Sequence, residues 1–166
     1  FFDYSKHHAD PSLAAIAHAQ AAWLCRLQIP NGAFPGGTLA DEPRPSAFNT
    51  GQILLGLCRA ATETHSVSEQ KTLLAAAEKA ADWLAEITLP DGSWAEGLYV
   101  ENFCPTYHVR AVWGMLEANV FLKKPAILIS TILHITKKFL ETKMKAHNAC
   151  MQYSQNTLPV RTQKTG

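Results

Sequence analysis

The segment 106-TYHVR-110 brings a phenol, an imidazole and a guanidinium within four positions, as Tyr107, His108 and Arg110. Histidine titrates near neutral pH and a tyrosine hydroxyl can give or take a proton, so Tyr107 and His108 are candidates for catalytic proton transfer. Arg110 can grip a carboxylate through two parallel hydrogen bonds. Asn49 and Thr50 offer an amide and a hydroxyl to a ligand, and Phe34 and Trp94, each two residues after a glycine, offer ring faces, as do Tyr99 and Phe103. Each group also has a plainer role. Asn49 and Thr50 suit a helix cap, Arg110 can pair with Glu101, His108 can sit hydrogen-bonded at the surface, and aromatic rings after a glycine turn often plug the top of a helical hairpin.

Glycosidic hydrolysis normally needs two facing carboxyl groups. The loop acids are Asp41, Glu42, Glu96 and Glu101, whereas Asp91 stands where Asn31 does and is explained by turn geometry. Ser, His and Asp fall in no nucleophile-elbow context, and Gly36-Gly37 is no phosphate loop. His7-His8 has no further ligand nearby, so no metal and no cofactor is expected. Cys25, Cys58, Cys104 and Cys150 lack the paired spacing of zinc sites and read as reduced thiols packed in helices.

The candidates must be positioned by helices. Asp10-Pro11 is an N-cap with proline at the first helical position, and Leu13, Ile16, Ala17, Gln20, Trp23, Leu24 and Leu27 follow at helical spacing. A Pro- and Gly-rich loop runs from Ile29 to Pro45, and Ser46 or Asn49 caps a second helix to about Thr64. Ser66-Val67-Ser68-Glu69 has capping-box spacing and opens a third. Leu89 to Pro105 is again a long loop, followed by a helix from Thr106 to about Val120. Lys124-Pro125 starts a fifth, whose apolar positions include Leu128, Ile132, Ile135, Phe139 and Leu140 at three-four spacing.

Two of these stretches match. In 21-AAWLCRLQIPNGAFPGG-37 and 81-ADWLAEITLPDGSWAEG-97, Trp23 and Trp83, Pro30 and Pro90, Gly32 and Gly92, and Gly37 and Gly97 lie sixty positions apart. The expected fold is therefore all-α: antiparallel helical hairpins with a repeat of about 60 residues. Antiparallel succession puts both long loops at one end of the array, which is where the candidate residues collect. Unpaired amides at the helix starts there favour anions.

These residues resemble the (α/α) toroid folds, in which about six helical hairpins close into a ring. Trp23-Leu24, Gln28, Gly32 and Phe34 resemble the QW motif of triterpene cyclase toroids, although Thr88 replaces the Gln in the second copy. The text 47-AFNTGQILLGLCRA-60, 80-AADWLAEITLPDGSW-94 and 106-TYHVRAVWGMLEA-118 is more similar to carbohydrate-active six-hairpin proteins from bacterial polysaccharide gene clusters. The resemblance spans roughly Phe1 to Ala118 and implies a partial (α/α) toroid acting on or binding a sugar or uronic acid, by hydrolysis, elimination or epimerisation. An isoprenoid cyclase or prenyltransferase-like toroid is the alternative, opposed by the absence of DxDD and DDxxD runs. A non-catalytic helical-repeat interaction module is the other.

A closed ring needs about twice this length, so a fragment is expected: a toroid domain over residues 1–146 and an irregular or disordered tail over 147–166. An incomplete ring has an open edge through which copies of the chain would associate. The formal charge of +1 and the scattered Lys and Arg exclude a field that gathers nucleic acid or anionic membrane. No apolar run reaches a membrane span, and a cytoplasmic location is the default expectation. Charged residues make up only 17% of the chain, which leaves much of the surface to be covered or concave.

Overall fold

A computed structural model describes residues 1–38, 42–99 and 109–157. The fold is all-α, with six helices and one small sheet among those residues. Helix α1 (Phe2–His8) ends at Ala9 in the left-handed conformation. Helix α2 (Pro11–Leu27) begins as expected, the Asp10 carboxylate accepting the Ser12 amide. After strands β1 (Pro35–Gly36) and β2 (Arg44–Pro45), helix α3 (Ala47–Glu63) is capped by Ser46, whose hydroxyl accepts the Asn49 amide. Helices α4 (Val67–Glu86), α5 (Val109–Leu122) and α6 (Pro125–Thr157) complete the chain. The expected start of α5 at Thr106 lies outside the described residues.

The expected capping box at α4 forms on one side alone. The Ser66 hydroxyl accepts the Glu69 amide, but the Glu69 carboxylate turns away to accept Thr64 Oγ1 and to meet His18 Nδ1 at 3.0 Å. The side chain expected to satisfy its own helix thus ties the short turn to α2. Lys6 with Glu63, and Arg59 with Asp3, likewise tie α1 to α3.

Helix α3 is the centre of the array and packs along both α4 and α5, and α6 covers α5 and α4. The core comprises Leu54, Leu57, Leu73, Leu84, Val112 and Met115 with a run of buried alanines, Ala60, Ala61, Ala77, Ala80 and Ala81. Small side chains at the crossings let the helices approach closely. Trp83 is buried in this core. Trp23, on α2 at its margin, is 41% exposed.

Helix α6 departs from expectation in its length. It continues through residues 147–157, where an irregular tail was expected, because no proline or glycine interrupts 126–158; residues 158–166 lie outside the described residues. Its apolar stripe faces outward: Leu128, Ile132, Ile135, Phe139 and Leu140 are exposed, and Ser130, Thr131, His134 and Lys138 are buried with Ile127. The second loop decides this, since its tight turn seats on the α6 backbone at Leu133 and His134.

Candidate functional site

The two long loops fold by the same local rules. In the first, Ile29 donates to Ala33 O, Gly32 donates to Ile29 O, and Asn31 Oδ1 accepts the Ala33 amide. In the second, Leu89 donates to Ser93 O, Gly92 donates to Leu89 O, and Asp91 Oδ1 accepts the Ser93 amide. An Asx side chain that accepts an amide two residues on closes a turn with no tertiary help. Gly32 and Gly92 have φ of 95° and 80°, a region that side chains disfavour. Each packs against a helix backbone, Gly32 on Lys79 of α4 and Gly92 on Leu133 of α6.

The loops then anchor differently. Gln28 donates through Nε2 to Gly32 O and to Ala76 O, both at 2.8 Å, which staples the first turn to α4. Thr88, in the matching place, returns its hydroxyl to Leu84 O of its own helix, and the second turn relies instead on Lys137, which pairs with Asp91 at 2.6 Å. That ammonium and the two bonds from Ser93 hold the Asp91 carboxyl well below the usual carboxylate range. Asp91 is a turn residue, as its place opposite Asn31 implied.

Beyond the turns the loops meet. Pro35 and Pro45 pair across β1 and β2, Ala47 donates to Gly97 O at 2.9 Å, and the Tyr99 hydroxyl donates to Asn49 Oδ1 at 3.2 Å. Asn49 Nδ2 in turn donates to Pro35 O at 2.9 Å. Between them lies a cleft of about 560 Å³ lined by Gly36, Gly37, Glu42, Arg44, Pro45, Ser46, Gly97, Leu98 and Tyr99. Its size suits a small ligand. Both flanks of Arg44 are prolines, which hold the backbone extended and present the guanidinium from the β2 edge.

The candidates fare unequally. Asn49 bridges the two loops and lines a neighbouring cavity of about 280 Å³ with Trp23, Leu24 and Ile53. Thr50 is buried and its hydroxyl accepts the Phe34 amide at 2.9 Å, which ties the first loop to α3. Phe34 is fully buried and Trp94, 3% exposed, stacks on His134 with centroids 4.5 Å apart. Both rings are plugs and neither offers a face to a sugar, because the helices close over the hairpin tops. Glu96 accepts from Trp83 Nε1 at 3.1 Å. Arg110 is exposed on the first turn of α5 and is not among the cleft-lining residues. Tyr107 and His108, with Asp41 and Glu101, lie outside the described residues.

Arg44 is signalled in the sequence only by its Pro-Arg-Pro setting, and Glu42 and Tyr99 only as a loop acid and an aromatic ring. Among the described residues no cluster of His, Cys, Asp and Glu could hold a metal ion, and no helix is long and apolar enough to cross a membrane. Comparison with known protein families, with curated proteins and with solved structures found no match.

Proposed function

We propose that this chain is part of an (α/α) toroid whose two matching loops form a binding cleft for a sugar, with a uronic acid the preferred class. The observation that carries the reading is the joining of both loops around one cleft, through the Ala47–Gly97 and Asn49–Tyr99 hydrogen bonds. Turns that share their hydrogen bonds at positions sixty apart support a hairpin repeat. Arg44 supplies a planar donor for a carboxylate, Glu42 and the exposed loop backbone supply partners for hydroxyls, and Tyr99, 59% exposed, supplies the ring face that Phe34 and Trp94 do not. Arg110, and the proton-transfer pair Tyr107 and His108 just before α5, would extend the site toward elimination or epimerisation at the carbon beside the carboxylate.

The test is a calorimetric titration with glucuronate, galacturonate and the matching neutral sugars. Uronates should bind, Arg44→Ala should abolish the preference for them over neutral sugars, and Tyr99→Ala should weaken both. Absence of binding by every sugar, or affinities untouched by both substitutions, removes the reading. The 280 Å³ cavity, walled by Trp23, Leu24, Leu27, Phe34 and Ile53, favours a second, isoprenoid-binding reading. A prenyl alcohol that binds where uronates do not would establish it.

A further inference from the structure

The face of α6 turned away from the body is apolar where the buried face is polar. Leu128, Ile132, Ile135 and Phe139 follow one another at spacings of four, three and four, flanked by Ile129 and Leu140, and all are 42–58% exposed. The opposite side buries Ser130, Thr131, His134 and Lys138. A helix is normally stable with its apolar stripe covered, and spacing that alternates three and four is the seam by which one helix packs on another of the same kind.

We propose that two copies of this chain pair through α6, antiparallel, with the two-fold axis between Ile132 and Ile135. Three features select a second copy. The stripe matches itself about the midpoint between Leu133 and His134, since an antiparallel partner brings its Phe139 beside Leu128 and its Ile135 beside Ile132, so that seam positions interdigitate. The six side chains expose on the order of 600 Å² per copy, at the low end of the roughly 600–1,000 Å² per partner that specific interfaces bury. The orientation follows from charge. Lys143 and Lys145 are exposed at one end of the stripe, so parallel pairing would set lysine against lysine, whereas antiparallel pairing carries Lys143 to the partner end where Glu78 and Asp82 already pair the Lys124 ammonium. This inference is independent of the cleft and its ligand.

Sedimentation equilibrium of the full chain over a wide concentration range tests it. The mass should rise from 18.2 kDa to twice that value, and Ile132→Asp or Ile135→Asp should hold the chain at monomer mass with an unchanged helical circular dichroism spectrum. Since a charged variant can also unfold, cysteine cross-linking gives a second reading against the parent chain. Leu128→Cys mixed with Phe139→Cys should form an intermolecular disulfide, as should Ile132→Cys mixed with Ile135→Cys, and Leu128→Cys alone should not. A parent chain that stays monomeric at the highest concentration, folded aspartate variants that still dimerise, or cross-linking of Leu128→Cys to itself would overturn the proposal.

Discussion

Gly51 and Ala111 lie backbone to backbone where α3 crosses α5: a methyl group on Gly51 would stand 2.2 Å from the Ala111 Cβ. One turn on, a methyl group on Gly114 would stand 2.1 Å from the Gly51 carbonyl oxygen. A mid-helix glycine costs about 1 kcal/mol relative to alanine, and here the close crossing offsets it. Gly51→Ala is therefore expected to destabilise by about 2 kcal/mol through overpacking, lowering the melting midpoint by roughly 4–8 °C. Gly56, on the same helix, faces open space. Gly56→Ala should raise stability by about 0.5–1 kcal/mol. Equal effects at the two glycines in a calorimetric melt would contradict this packing.

Thr50 and Phe34 supply a buried hydrogen bond that ties the first loop to α3. Thr50→Val keeps the shape and strands the Phe34 amide without an acceptor, at a cost of about 1–3 kcal/mol. Thr50→Ser should retain most of the stability. Urea unfolding of the two variants distinguishes loss of the hydroxyl from loss of the methyl group.

Asp91 is ionised more readily in the folded chain than in the unfolded one, because Lys137 and Ser93 bind its charged form. A depressed carboxylate contributes stability that is present above its unfolded value of 3.8 and is lost as pH falls below it, where the unfolded chain takes up the proton first. Asp91→Asn should flatten the acid limb of the stability curve. At neutral pH the change should stay within about 1 kcal/mol, since Asn31 closes the matching turn with a carboxamide. Thermal melts between neutral and acid pH measure both effects, and an acid limb unchanged by Asp91→Asn would contradict the assignment.

Cys58 is buried on α3, and burial, then the Glu117 charge, push its thiol up to about 12. Burial also raises the half-buried Cys25. Because the thiolate is the reactive form, Cys58 should resist iodoacetamide at neutral pH until the chain unfolds. Peptide mapping after timed alkylation should show Cys58 labelled more slowly than Cys25 in the native protein, and at comparable rates in denaturant. Rapid native labelling of Cys58 would contradict its packing.

The helix starts were legible in the chain because caps act locally. Asp10 with Pro11, Ser46 and Ser66 each need only an amide two or three residues on, and Pro125 needs only its own fixed φ. The matching turns were legible for the same reason, Asn31 and Asp91 each closing a turn within its own loop. The return half of the Ser66 capping box failed because Thr64 Oγ1 accepts the Ser66 amide and, with His18 of α2, draws the Glu69 carboxylate.

What a side chain faces was decided only by the tertiary structure. Spacing places Leu128, Ile132, Ile135 and Phe139 on one side of a helix but carries no information about which neighbour arrives there, and the Gly92 turn arrived on the other side. Phe34 and Trp94 became plugs because helices closed over them, and Arg44 and Tyr99 became cleft residues because two loops far apart in sequence met. The chain by itself determined where its helices start and how its turns close, since those depend on amides a few residues away. Which faces are buried, and where a ligand fits, rest on contacts between residues tens of positions apart, which no local pattern encodes.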